Sequence, residues 1–202
     1  MKIICIGRNY GKHAAEMNAE IPDAPIFFLK PDSAINRLKM MYLPDFTNDL
    51  HHEIELVVKI NKVGKHITEE FANTYYSEIG LGIDFTARDL QTKCKAEGLP
   101  WEIAKAFDNS AIISSTFINK SDLDLNNINF SLKLNEALVQ TGNSGDMIFK
   151  IDQLIAYVSQ FMTLKTGDLI FTGTPSGVGP VKINDTLIGY FEDQEMFKLK
   201  IK

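Results

Sequence analysis

Three acidic side chains in two short stretches set the chemical question. HHEIEL, residues 51–56, opens a run continued by IELVVKI, and β-branched residues favour a strand. Side chains alternate faces along a strand, which puts Glu53 and Glu55 on one face and Ile54, Leu56, Val58 and Ile60 on the other, toward a core. Two carboxylates at neighbouring same-face positions repel unless they are solvated on an exposed strand or share a cation. Asp84 ends the apolar, glycine-bearing stretch IGLGID, and strand ends commonly present binding groups. Three carboxylates converging on one point require a cation. An all-oxygen set favours a hard one, Mg²⁺, Mn²⁺ or Ca²⁺, over zinc. His52 faces away from Glu53 on an ideal strand, and no cysteine or further histidine has the spacing of a tetrahedral site, so His52 reads either as structural or as a support behind the ligands. Asp89 is either a fourth ligand or, more simply, the partner of Thr86 in a helix-capping box.

Two other stretches carry chemistry. In GRNYGKHAAEM, His13 and Glu16 are three apart, on one face of a helix. A carboxylate beside an imidazole orients it and raises its basicity, as activation of water requires. A surface helix can also carry this pair by chance. Gly7 and Gly11 before it and Pro22 and Pro25 after it suit a mobile lid over about residues 8–25. The third stretch is TGTPSGVG, residues 172–179. No Gly-Lys-Ser/Thr follows, so it is not a nucleotide phosphate loop. It is either a glycine turn between strands or a tight loop whose N–H groups and Thr174 hydroxyl hold a carboxylate.

The elements that must position these groups are mostly strands. KIICIG reads as a buried strand in which Cys5 is a small hydrophobe. A short helix near YGKHAAEM, the run IFFLK, and loops with short strands over 31–50 come next. TEEFANTYYSE is weakly helical, and TARDLQTKCKAEG is a helix stopped by Gly98. Residues 130–142 alternate well enough for two strands. Asp152 is a candidate cap for a helix whose Leu154, Ile155, Val158, Phe161 and Met162 share a face. GDLIFTG and KINDTLIGYF read as strands, and Phe197, Leu199 and Ile201 alternate in a final one. Strands are many, helices few, and no regular βαβ order is present. The fold class expected is α+β, dominated by antiparallel or mixed sheet.

Composition narrows the setting. A chain of 202 residues with 45% hydrophobic content suits one catalytic domain with a real core. A net charge of −5 argues against a nucleic-acid partner. No run of 18 apolar residues marks a membrane span, and the start lacks the pattern of a secretory signal. Two cysteines, Cys5 and Cys94, make no disulfide framework. The location expected is cytoplasmic.

Together the motifs resemble the fumarylacetoacetate hydrolase family, in particular its short single-domain branch of acylpyruvate hydrolases and oxaloacetate decarboxylases. GRNYGKHAAEM, FFLKPDSA, HHEIEL, GIDFTARDLQ, GLPWEIAKAFDNSA, DMIFKIDQLIAYVSQFMTL and GDLIFTGTPSGVGPV stand in the family's order across almost the whole chain. The resemblance implies a mixed β-sheet roll, residues 1–202 as one domain, and a homodimer. It implies Glu53, Glu55 and Asp84 as ligands of Mg²⁺ or Mn²⁺, which would explain how the two glutamates tolerate each other. It implies that His13 and Glu16 deprotonate water, that Lys30 and Lys105 face the substrate and stabilise negative charge, and that Arg8, Gln91 and Thr174 lie near it. The reaction implied is metal-dependent C–C cleavage of a small 2-oxo acid, by hydrolysis of an acylpyruvate or decarboxylation of oxaloacetate. An isomerase or tautomerase on the same fold is the alternative, and a non-catalytic metal-dependent binding protein a third reading. Residues 35–50 depart from the pattern of mitochondrial decarboxylase members, and Ser144 stands where many relatives have threonine. The first departure bears on substrate identity rather than on metal binding.

Overall fold

The computed structural model describes residues 1–17, 19–36 and 38–202. Its centre is a mixed sheet whose strands run, side by side, Ile26–Lys30, Ile3–Gly7, Leu169–Phe171, Ile54–Ile60, Tyr76–Asp84, Ala111–Ile113 and Ile35–Asn36, with Ile118–Asn119 also pairing on Tyr76–Asp84. Ile3–Gly7 lies parallel to Leu169–Phe171, whereas the glutamate strand is antiparallel to both of its neighbours. A second sheet, Ala137–Asn143, Asn129–Leu134, Thr186–Phe191, Gln194–Ile201 and Met40–Met41, packs over one face of the first. A small third sheet joins Gly179–Pro180, Leu50–His52 and Thr86–Ala87. The α+β, mixed-sheet expectation holds.

The alternation read in the glutamate strand is the organising feature. Ile54, Leu56, Val58 and Ile60 are fully buried in the main core, with Phe130, Leu132, Leu187 and Phe191 of the second sheet. Burying each such side chain contributes about 1.5–3 kcal/mol. On the opposite face Val57 joins a smaller cluster with Ile3, Cys5, Leu169 and Phe171. The helix Ile151–Phe161 closes one side of the main core through Leu154, Ile155 and Val158. Phe161 falls outside that stripe, exposed at the helix end, where its ring packs against Phe27 and Tyr157.

Several local expectations are corrected. Thr86 is not a helix cap: its backbone is held in a strand pairing with His51, and the helix Arg88–Glu97 begins two residues later. Asp89 neither ligates nor forms a capping box. It accepts hydrogen bonds from Thr47 Oγ1 (2.6 Å) and the Asn48 N–H (3.2 Å), tying the preceding loop to the helix. That helix does stop at Gly98, in left-handed conformation. Asp152 lies inside the first turn; Lys150 occupies the cap position, and its N–H donates to Gln153 Oε1 at 2.8 Å. TEEFANTYYSE is helical only over Glu69–Ala72, then forms one 3₁₀ turn, because its YSE portion is claimed by the central strand. In KINDTLIGYF the strand starts only at Thr186.

Candidate active site

The run through HHEIEL is one extended segment shared by two sheets. Leu50–His52 belongs to the small sheet and Ile54–Ile60 to the central one, with Glu53 at the junction. The Glu53 carbonyl accepts the Asp84 N–H at 2.9 Å, and Glu55 lies opposite Gly82 on the neighbouring strand. This register brings all three carboxylates together. Oxygens of Glu53, Glu55 and Asp84 lie within 4.8 Å of one another, and all three side chains are buried.

Their electrostatics differ sharply. Burial works against the charged form of Glu53, but Lys105 and Arg88 outweigh it and hold this carboxyl well below its usual range. Lys105 Nζ lies 2.7 Å from both Glu53 Oε2 and Asp84 Oδ2, and Arg88 pairs with Glu53 Oε1. Burial alone would depress the Lys105 ammonium, yet Asp84 and Glu53 raise it. Glu55 has no such partner. Burial, then Asp84 and Glu53, push its carboxyl well above the usual value, and its hydrogen bond from the Gly173 N–H (2.7 Å) only partly offsets this. Asp84 Oδ1 is buried, 2.8 Å from Lys30 Nζ but outside hydrogen-bonding geometry, so it accepts no hydrogen bond. An under-neutralised glutamate, an orphaned carboxylate oxygen and an all-oxygen donor set fit a hard divalent cation.

The glycine loop holds carboxylates after all, but the protein's own. Gly173 donates to Glu55, and the Gly177 N–H donates to Glu16 Oε1 and Oε2 at 3.0 and 3.2 Å. Both glycines need their lack of a side chain. Gly173 (φ 103°) and Gly177 (φ 96°) sit in the left-handed region, and a Cβ on Gly177 would lie 2.2 Å from the Val139 carbonyl oxygen. Glu16 Oε2 in turn lies 3.2 Å from His13 Nδ1, at the end of the short helix Gly11–Glu16. A carboxylate there accepts the Nδ1–H and leaves Nε2 as the basic nitrogen.

Arg8, His13, Glu53, Glu55, Asp84, Gln91, Lys105 and Thr174 all line one cavity of about 40 Å³, closed in part by Phe28, Met17 and Trp101. Glu16 and Lys30 do not line it. Glu16 supports His13 from outside, and Lys30 stands behind Asp84, its ammonium held by the carbonyls of Phe85, Lys105 and Ser110 and by Ser110 Oγ. Lys30 therefore acts on Asp84 rather than facing a substrate. Of the proposed lid, Asn18 lies outside the described residues.

Four participants went unread in the sequence. Arg88 and Lys95 share the cavity, and the Lys95 ammonium sits 5.4 Å from the centre of the ring of the third, Trp101. The signal was available: Arg88, Gln91 and Lys95 have i, i+3, i+7 spacing, one face of a helix. The fourth, Gln140, carried no local signal, since it comes from the second sheet. Its Oε1 accepts the Ile54 N–H (3.1 Å) and lies 2.9 Å from His52 Nδ1, while its Nε2 donates to Thr174 Oγ1 (2.9 Å) and the Pro175 carbonyl (3.0 Å). Because Ile54 N–H and Pro175 C=O fix which end of the amide is which, Thr174 Oγ1 must accept from Gln140. Its own proton is then free to donate into the cavity. His52 is buried and donates to Gln140 through Nδ1, behind the residues that line the cavity.

Residues 2–201 match the family described as fumarylacetoacetate hydrolase, C-terminal. The chain belongs to the fumarylacetoacetate hydrolase family. It is 42% identical to an oxaloacetate tautomerase, FAHD1, mitochondrial, of Bos taurus, over 99% of this chain and 91% of that one. It is 45% identical to a mitochondrial oxaloacetate decarboxylase of Dictyostelium discoideum, over 90% of this chain and 84% of that one. Its fold superposes with a TM-score of 0.93 on fumarylpyruvate hydrolase from Pseudomonas aeruginosa, a structure in complex with Mn²⁺ and pyruvate, at 34% identity, covering 100% of this chain and 89% of that one.

Proposed function

We propose that this member of the family is a divalent-metal-dependent enzyme that cleaves a C–C bond in small 2-oxo acids, by acylpyruvate-type hydrolysis or oxaloacetate decarboxylation. The observation that carries the reading is the convergence of three buried carboxylates in one cavity with His13 and a set of cationic side chains. Glu53, Glu55 and Asp84 are the ligands, and Mg²⁺ or Mn²⁺ is the ion that suits them, with Ca²⁺ a weaker fit. When bound, that ion supplies Lewis-acid polarisation of the keto and carboxylate oxygens of a 2-oxo acid.

The remaining chemistry belongs to the chain. Glu16, fixed by the Gly177 N–H, orients His13 so that Nε2 takes a proton from water. Lys105 places an ammonium beside the carboxylate cluster, where negative charge develops on the departing enolate. Thr174 donates its hydroxyl proton, and Gln91 is held toward the cavity by Arg88 Nη1 at 2.6 Å. A cavity of about 40 Å³ has room for a few waters, less than a 2-oxo acid occupies. Substrate entry therefore requires movement of the covering segment, the role assigned to residues 8–25 as a lid. The family resemblance supports a homodimer, which sedimentation would test.

Keto–enol tautomerisation is a second reading. The 42% identical bovine relative named an oxaloacetate tautomerase favours it. Both reactions pass through an enolate; only hydrolysis needs activated water. A coupled assay with acetylpyruvate and oxaloacetate, with Mg²⁺ and with EDTA, separates them. Metal-dependent acetate and pyruvate from acetylpyruvate, lost by about 10²-fold or more in His13→Ala, is the expected result. Metal-dependent keto–enol conversion in both proteins, with no cleavage of either substrate, would assign the chain to the tautomerases.

A further inference from the structure

Two buried threonines at the start of the glycine loop are in opposite situations. Thr172 donates its hydroxyl proton to the Leu56 carbonyl at 3.1 Å. Thr174 lines the cavity, and among the described residues its hydroxyl has one hydrogen-bond partner, Gln140 Nε2 at 2.9 Å. An amide nitrogen only donates, so Thr174 Oγ1 accepts and its own proton has no acceptor in the protein. Burying a hydroxyl proton in that state costs free energy, which an acceptor oxygen in the cavity would offset. Gln140 is placed to enforce the polarity. It stands on Ala137–Asn143, the edge strand of the second sheet, where it is 1% exposed although Thr141 beside it is exposed. All four of its hydrogen-bonding capacities are used: Oε1 accepts from the Ile54 N–H and from His52, and Nε2 donates to Thr174 and to the Pro175 carbonyl. A flipped amide would set donor against donor at Ile54 and acceptor against acceptor at Pro175. The amide therefore has one orientation, and the Thr174 hydroxyl has one direction.

We infer that Gln140, which does not itself line the cavity, is a positioning residue: it locks Thr174 as a hydrogen-bond donor, and that donor holds an anionic oxygen of the bound ligand. This rests on the reading of the cavity as a site for small 2-oxo acids and their enolates. The competing role is that of a brace. Gln140 joins the glutamate strand at Ile54 to the glycine loop at Pro175, so its loss could loosen both without involving the hydroxyl. The two roles differ in one respect. A positioning residue acts through Thr174 and has nothing to position once that hydroxyl is gone, whereas a brace matters equally with or without it.

A double-mutant cycle separates them. The probe is oxalate, a planar dianion shaped like the enolate of pyruvate, titrated calorimetrically in excess Mg²⁺ into wild type, Gln140→Met, Thr174→Val and the double variant. Each single variant should bind oxalate about tenfold more weakly or worse, the worth of one hydrogen bond to a charged oxygen. The double variant should bind no more weakly than Thr174→Val alone. Losses that multiply in the double variant identify a brace and overturn the inference, as do an unchanged affinity in Gln140→Met and a wild type that does not bind oxalate. Should Gln140→Met fail to fold, Thr174→Val and Thr174→Ser keep the donor open to disproof: serine should retain most of the affinity, and a valine variant that binds like wild type overturns it. Turnover of the same wild-type preparation on oxaloacetate and acetylpyruvate tests the cleavage reading separately. An inactive protein with the non-additive pattern would sink that reading and leave Gln140 in its role; an active one with multiplying losses would do the reverse.

Discussion

Glu53 and Glu55 look equivalent in the sequence, two same-face acids on one strand, yet their neighbours make them opposites. Glu53 is bound by Lys105 and Arg88; Glu55 has one N–H and two like charges. Without metal, Glu55→Gln should therefore raise the melting temperature, by about 2–4 °C for each kcal/mol of repulsion relieved. Glu53→Gln should lower it, because it leaves the buried Arg88 with no carboxylate and Lys105 with Asp84 alone, a loss of order 3–5 kcal/mol. The pH dependence has a definite sign. The Glu55 carboxyl titrates higher in the fold than its usual 4.5, so its contribution is complete below 4.5 and is lost as pH rises through the folded value. Melting curves in EDTA across pH should show the advantage of Glu55→Gln growing as pH increases. An advantage independent of pH would mean that Glu55 is not the strained charge.

At the scale of elements, the glycine loop is the part whose role changes most between sequence and structure. Its N–H groups hold Glu55 and Glu16, so one loop sets the under-neutralised carboxylate and the support of His13 together. Gly177→Ala should be felt at His13 before it is felt in the fold. Its Cβ would collide with the Val139 carbonyl in a backbone region costing about 1–3 kcal/mol for a residue with a side chain. The displaced loop would release Glu16. We expect kcat for cleavage to fall about as far as in Glu16→Gln, with metal affinity preserved, measured by turnover and by Mn²⁺ titration on the same sample. A fall in Mn²⁺ affinity instead would show that the loop serves the carboxylates first. The short helix Gly11–Glu16, the strand over 54–60 and the stop at Gly98 were legible because each rests on local periodicity or a single terminating residue. The caps assigned to Thr86 and Asp152 were not, because backbone pairing with His51 and the position of Lys150 decided them.

At the scale of the whole molecule, the cluster exists only when separate segments of the central sheet are in register, so a bound ion stabilises the native state alone. At about 100 times its dissociation constant it should add roughly 2.7 kcal/mol, or about 5–10 °C in melting temperature, relative to EDTA. The shift should vanish in Glu55→Ala; a shift that persists there would place the ion elsewhere. The sequence by itself determined the acid triad, the His13–Glu16 pair, the family and the mixed-sheet class, since these depend on residue type, short spacing and motif order. The tertiary structure decided what neutralises what: that Lys30 backs Asp84, that Lys105 and Arg88 take Glu53, that Glu55 is left short of a partner, and that Gln140 from the other sheet orients Thr174. The physical reason is range. Local periodicity records which way a side chain points, but the energy of a buried charge depends on groups tens of residues away that only the packed sheets bring within 3 Å.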